Sequence, residues 1–262
     1  MTSYFLEMPN KCKERNDMKA IILAAGYATR LYPLTEVTAK PLLKVGEKTL
    51  LDYVYDEIEE IEAVDQVYII SNHKFYHQFE NWKEMKGARK PITIIDDGTN
   101  NVDERLGAIG DIKLVIDKEN IEDELLITAG DILFDFKLKD FYDHYMIHKK
   151  DCICVEEIED MNMLRRMGVA LLDEKDKVID FEEKPQNPKS NIGVTAFYIY
   201  NKATIEFIDE YLKQGGNPDA PGHFVAWLHK KIDVYGYRFK GQCYDIGTHE
   251  SYAMAQQIFK KN

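Results

Sequence analysis

The sequence predicts an α/β fold: one three-layer αβα domain around a mixed, mostly parallel sheet. Three observations carry this reading. The first recognisable element, Met18 to Ala25 (MKAIILAA), is an unbroken apolar run of strand length that passes directly into a glycine-containing loop, as a central strand covered on both faces does. Strand-like and helix-like stretches then alternate as far as Glu156, the spacing of βαβ units. After Asp160 paired short strands appear, which adds antiparallel neighbours to the sheet.

In chain order, helical periodicity covers Leu50 to Glu62 and a strand is expected at Gln66 to Ser71. A helix near Phe75 to Lys86 and a strand at Ile92 to Ile95 follow, then a helix over Leu106 to Asp117 and a strand at Glu124 to Ala129. Leu138 to Lys149 reads as a helix and Cys152 to Glu156 as a strand. Gly168 to Leu172 and Lys177 to Glu182 flank the turn-like DEKD and form a hairpin, and Gly193 to Tyr200 (GVTAFYIY) is a β-branched and aromatic strand. Helices are expected at Ala203 to Gln214 and Phe224 to Lys231, strands near Val234 to Phe239 and at Tyr244, and a last helix over His249 to Phe259. GGNPDAPG, Gly215 to Gly222, is a loop of a length suited to a lid. No internal repeat or interdomain linker interrupts the pattern.

At 262 residues the chain can bury a core without a metal or disulfide staple. Its longest apolar runs, such as AIILAA and ELLITA, fall far short of the ~20 residues of a membrane helix. A formal charge of −12 with no basic run excludes nucleic acid as a partner. The four cysteines, Cys12, Cys152, Cys154 and Cys243, form no CxxC pair; Cys152 and Cys154 alternate in DCICVEE as small apolar residues on one strand face. Reduced thiols imply the cytoplasm. Residues 1–17 have no apolar core of a signal peptide and read as a flexible extension, leaving 18–262 as the domain.

Four places carry chemistry. In Leu23 to Asp52 the small residues Ala24, Ala25, Gly26 and Ala28 let a backbone approach a ligand, with Arg30 and Lys40 as cations suited to a polyphosphate. There is no GxGxxG and no GKS or GKT, and an ordinary strand-to-loop turn fits the same residues. Asp131 and Asp245 each follow a strand, where two carboxylates can share Mg²⁺ and where a lone Asp can equally cap a helix or turn. In Glu183-Lys184-Pro185 the proline stiffens the backbone around a lysine that suits a phosphate monoester; a solvated EEK run is the alternative. His73, His77, His144, His148, His223, His229 and His249 show no metal-ligand spacing, although His144 and His148 lie four apart on a helix. Phe197, Tyr198 and Tyr200 are core aromatics of a strand.

LAAGYATRLYPLT followed by KPLLKVGEKTLLD closely resembles the N-terminal signature of the sugar-phosphate nucleotidyltransferases, in particular the glucose-1-phosphate thymidylyltransferase-like group. AGDILF (Ala129 to Phe134), FEEKPQNPKSN with GVTAFYIY (Phe181 to Tyr200) and YDIGTHESY (Tyr244 to Tyr252) continue the likeness in the family's order. The resemblance implies a Rossmann-like fold of the nucleotide-diphospho-sugar transferase type. It implies catalytic roles for Arg30, Lys40 and Lys184, and nucleotide binding by Leu23, Ala24, Ala25, Gly26, Thr29 and Asp97. Sugar-phosphate binding falls to Gly130, Glu183, Lys184 and Thr195, and Mg²⁺ binding to Asp131 and Asp245. The implied partners are a nucleoside triphosphate and a sugar 1-phosphate or similar phosphorylated metabolite, with homo-oligomers common in the family and no fused hexapeptide β-helix expected.

Three departures bear on substrate. Ala28 stands where many members have a second glycine. Ile94 to Ile112 (IIDDGTNNVDERLGAIGDI) replaces the Gln-Pro and GLAQA-like stretch near the base, which leaves dTTP and CTP both open. NPDAPGHFVAWL replaces an acidic stretch near the sugar, so glucose 1-phosphate is a default among acceptors. Two other readings compete. One is a non-catalytic nucleotide-sugar sensor. The other is a glycosyltransferase of related fold, which would carry a DxD where this chain has Gly130-Asp131-Ile132-Leu133.

Overall fold

The computed structural model describes residues 17–259, so Cys12 and most of the expected N-terminal extension lie outside it. β1 (Met18–Leu23) is central, flanked in parallel by β4 (Val64–Ser71) and β6 (Glu124–Ala129), with β5 (Ile92–Asp96) parallel beyond β4. The alternation along β1 sorts its side chains by face: Ala20 and Ile22 join one apolar cluster, Ile21 the other. Helices α2 (Leu50–Glu59), α3 (Tyr76–Lys86) and α5 (Leu138–His148) cover the first face through Val54, Phe79, Trp82 and Phe141. α4 (Ala108–Glu119), α7 (Thr204–Lys213) and α8 (Pro221–Leu228) cover the second through Ile109, Ile112, Ile208 and Phe224. The three layers expected are present, with Cys152 and Cys154 buried in the first cluster.

The antiparallel half extends the sheet over the carboxyl end of β6. β11 (Ile192–Tyr200) pairs with β6 through Phe197↔Thr128 to Tyr200↔Leu125, then continues past it. Along the same edge β9 (Gly168–Leu172) takes over, with Gly168↔Val194, and β10 (Val178–Glu183) returns beside it, with Glu183↔Gly168. On its other edge β11 pairs with β8 (Asp151–Glu157), which is parallel to β12 (Val234–Arg238). These nine strands form one sheet, and β7 (Ile132–Phe134) with β13 (Cys243–Asp245) forms a separate ribbon. A smaller ribbon joins β2 (Lys44–Val45) and β3 (Lys48–Thr49). Short helices α1 (Leu34–Val37) and α6 (Met161–Leu164) and the C-terminal α9 (His249–Phe259) complete the described chain.

Several boundaries differ from expectation for local reasons. β1 stops at Leu23, releasing Ala24 and Ala25 into the loop. α2 begins where expected because Thr49 and Asp52 form a reciprocal capping box, but ends at Glu59, and β4 begins at Val64. α4 starts after Gly107, whose φ of +79° suits glycine. α8 starts three residues earlier than expected because Pro221 occupies the first turn, where its missing N–H costs nothing. β7, the β2–β3 ribbon, α1 and α6 are too short to show a period in the sequence.

Candidate active site

The strand order around β1 places the site. From β1 the chain builds outward through β4 and β5, then α4 carries it back across to β6 on the other side of β1. Ligands of open α/β sheets bind beyond the strand ends at such a reversal. An open cleft of about 130 Å³ lies there, lined by Leu23, Ala24, Gly26, Ala28 and Arg30 from the first loop, Lys40 and Pro41, Asp131 after β6, and Ile246 and Gly247 after β13.

The loop after β1 is pinned from behind. The Ala24 N–H donates to the Ile70 carbonyl, and Asn72 Nδ2 donates to the Ala25 carbonyl at 2.9 Å. Ala28 adopts φ +46°, a left-handed conformation that costs a residue with a Cβ about 1 kcal/mol. Thr35 Oγ1 donates to its carbonyl at 2.8 Å and steadies it there. Thr29 and Arg30 follow in an exposed 3₁₀ turn, and Arg30 pairs with no carboxylate among the described residues. Its guanidinium is therefore free for an anion.

Lys40 is the pivot of the mouth. It is buried, and its Nζ lies 2.8 Å from Asp131 Oδ2 and 3.7 Å from Asp245 Oδ1. The antiparallel pairing Asp245↔Ile132 sets Asp245 beside Asp131, which explains how two residues so distant in sequence converge. Among the described residues no three His, Cys, Asp or Glu side chains group around a metal position. Two hard oxygen donors are nevertheless the usual protein share of a Mg²⁺ site completed by substrate phosphates, so this pair fits that ion.

Gly130 allows the close approach of β6 to β1: a Cβ would meet Ile22 Cγ2 at 2.9 Å, and the Gly130 N–H donates to the Leu23 carbonyl. Thr195 is buried on β11, with its hydroxyl 3.4 Å from the Cys154 carbonyl. Glu183 ends β10 beside Gly168, which pairs in turn with Val194, so the register brings Glu183, with Lys184 next in the chain, to the same edge as Thr195. Burial pushes the Glu183 carboxyl above its ordinary pKa, with Lys184 at 3.6 Å opposing the shift. Gly222 makes room for that carboxylate, which a Cβ there would overlap. Lys184 itself is exposed and held at φ +49° before Pro185, the stiff backbone expected of the Glu-Lys-Pro turn.

Asp97 does not line the cleft. Its carboxylate accepts from the Thr99 N–H and hydroxyl at 2.7 and 3.0 Å, and burial raises its pKa. Thr99 in turn meets the Tyr27 hydroxyl at 3.1 Å, so this segment braces the first loop. The sequence reading did not single out Tyr27, Thr99, Ile246 or Gly247 individually, although Tyr27 lies within LAAGYATRLYPLT and Ile246 and Gly247 within YDIGTHESY. His249 also gains a place, its Nε2 2.8 Å from the Tyr32 carbonyl, tying α9 to the Arg30 turn. His144 and His148 lie against Tyr237 and Tyr235 and join no group of three or more potential metal ligands among the described residues.

A family model described as nucleotidyl transferase matches residues 19–262. Among curated proteins the chain is similar to the bifunctional protein GlmU of Methanocaldococcus jannaschii, 29% identical over 245 residues covering 88% of this chain and 51% of that protein. GlmU of Methanococcus aeolicus is 27% identical over 233 residues, with the same coverage of 88% and 51%. The chain thus spans about half the length of these relatives. Among solved structures it is similar to a protein described as a glucose-1-phosphate thymidylyltransferase from Bacillus anthracis, in complex with a sucrose, at TM-score 0.80 and 24% identity over 94% of this chain and 96% of that one. A UDP-glucose pyrophosphorylase complexed with UDP-glucose superposes at TM-score 0.77 and 21% identity, covering 94% and 99%. At these identities the likeness establishes the fold.

Proposed function

The chain belongs to the nucleotidyl transferase family, and from that premise we propose that it condenses a nucleoside triphosphate, dTTP or CTP, with a sugar 1-phosphate or similar phosphorylated metabolite. The products are a nucleotide-sugar and pyrophosphate. The convergence of Lys40, Asp131 and Asp245 at the switch point, beside an unpaired Arg30, is the observation that carries this reading.

An acceptor phosphate oxygen attacks the α-phosphorus in line, a P–O bond forms, and the bond to the β-phosphate oxygen breaks. The acceptor is already ionised near neutral pH, so no general base is needed and the protein's work is positioning and charge neutralisation. Arg30 and the amides around Gly26 hold the β- and γ-phosphates. Lys40 sits between the triphosphate and the two carboxylates. Asp131 and Asp245 would hold Mg²⁺, which when bound neutralises charge building at the phosphates. Lys184 draws in the acceptor phosphate, Glu183 accepts from its hydroxyls, and Gly130 and Thr195 shape the floor beneath.

A pyrophosphatase-coupled phosphate assay across five nucleoside triphosphates and a set of sugar 1-phosphates tests the reading. Pyrophosphate release confined to particular pairs is expected. Nucleotide-sugar binding without release under any pair would replace it with a sensor, and transfer of sugar from a nucleotide-sugar would replace it with a glycosyltransferase.

A further inference from the structure

Lys184 sits in a backbone conformation that its own sequence does not favour. Its φ of +49° belongs to the left-handed region, which a residue with a Cβ enters at a cost, and the residue before a proline prefers extended backbone. Such a residue keeps its geometry only where its surroundings over-determine it. One constraint comes from the strands: the Lys184 N–H donates to the Met167 carbonyl at 3.1 Å, one step beyond the Glu183↔Gly168 pair. That bond fixes the start of the turn. The far side, after Pro185, needs a second hold.

Arg165 supplies it. Its Nε donates to the Gln186 carbonyl at 2.9 Å, and its Nη1 donates to Asn162 Oδ1 at 3.3 Å. Asn162 is itself tied down, because its N–H donates to Asp160 Oδ1, the N-cap of α6. The base of α6 is packed: Leu164 is buried with Ile158 and Val169, and Met167 lies against them. Gly193 makes room for this small core, since a Cβ there would meet Ile158 Cδ1 at 2.7 Å and Met167 Cε at 2.8 Å. The choice of partners sets Arg165 apart. Arg89, Arg105 and Arg238 each face a carboxylate, whereas Arg165, in a chain of net charge −12, meets only neutral oxygens among the described residues. Its planar fork spans two fixed acceptors, which the point charge of a lysine does not do.

We propose that Arg165 is a positioning residue that acts through Lys184: by clamping the Gln186 carbonyl to α6 it fixes the turn from which the lysine reaches the acceptor phosphate. The Lys184 side chain is exposed and loosely paired, so the backbone beneath it sets where its charge can go. A small misplacement of a group that orients a substrate is enough to cost a large factor in rate. This rests on the nucleotidyltransferase reading above.

Steady-state kinetics of the full chain, with the nucleotide and acceptor pair that the wild type turns over fastest in the pyrophosphate assay, test it. Arg165→Ala is expected to lower kcat/KM for the acceptor about tenfold while KM for the nucleotide stays within about twofold, a split that a general loss of folded protein does not produce. Arg165→Lys, which keeps the charge but not the fork, should recover no more than about twofold of the loss. In a Lys184→Ala background the same Arg165→Ala change should cost less than about twofold, because the residue it positions is gone. Full recovery in Arg165→Lys would assign the effect to charge alone, and an undiminished loss in the Lys184→Ala background would show that Arg165 acts independently of Lys184. Either result overturns the inference, as does an unchanged acceptor kcat/KM in Arg165→Ala, and all three leave the nucleotidyltransferase reading intact. A wild type that releases no pyrophosphate with any pair overturns both.

Discussion

Lys40 and Lys184 are both cations at the carboxyl edge of the sheet, yet they are held in opposite ways. Lys40 has a side chain only 8% exposed, fixed by two carboxylates that arrive from β6 and β13. The side chain of Lys184 is 53% exposed, and its nearest carboxylate is its own neighbour Glu183 at 3.6 Å. Lys40 is therefore part of the architecture, a charge already neutralised and placed before any ligand arrives. Lys184 has a fixed backbone and a free side chain. On the proposed function, this leaves the triphosphate side of the cleft preorganised and the acceptor side free to receive its substrate, a division that follows from how many elements contribute to each.

The sharpest way to break this contrast is to remove each lysine. Lys184→Ala should lower turnover about 10²-fold or more, with no measurable change in urea-melt stability, because an exposed charge contributes little to folding. Lys40→Ala should cause a comparable loss of pyrophosphate release and also destabilise by about 1–2 kcal/mol, since it strands two acids that share one counterion, though both retain solvent contact. Asp131→Asn should match the catalytic loss. Equal stability losses for the two lysine variants would erase the distinction.

Next in size is a pH effect at the first turn of α4. Because the folded-state pKa of Asp111 is raised to about 7, protons favour the folded form. Its contribution is full below the unfolded carboxyl's pKa near 4 and is lost as pH rises through about 7. The wild type should lose about 2 kcal/mol more stability than Asp111→Asn between pH 5 and pH 8 in parallel denaturant melts. The reverse sign would show that the carboxylate finds a partner when charged.

On the acceptor side, Gly222→Ala places a Cβ against the Glu183 carboxylate. It should raise KM for the acceptor about tenfold, the scale of one displaced polar contact, while triphosphate affinity is unchanged. A shift in nucleotide affinity instead would join the two halves of the cleft. The smallest effect is expected at Ala28→Gly, where relief of a positive φ should change stability by less than about 1 kcal/mol.

The legibility of these features in the sequence varies with their range. The small residues of Leu23 to Gly26, with Arg30 and Lys40 close behind, read as an anion-binding loop because everything involved lies within one turn of chain. Glu183-Lys184-Pro185 was visible for the same reason. Asp111 was not: no motif marks it, and its burial with a carboxyl oxygen left without a hydrogen-bond partner arises only once the chain is folded. Asp97, implied as a nucleotide ligand by the family resemblance alone, has its carboxylate hydrogen-bonded to the Thr99 N–H and hydroxyl in the fold.

The sequence by itself determined the parallel half of the sheet, the helices that cover it and the loop after β1. Hydrophobic period, β-branching and turn residues act between near neighbours, and their physics is complete within a short window. Only the tertiary structure decided that Asp245 would lie beside Asp131, or that β9 and β10 would carry Glu183 and Lys184 over the end of β6. Those meetings depend on strand register between distant segments, and register is set by which faces must be buried together once the whole core is assembled.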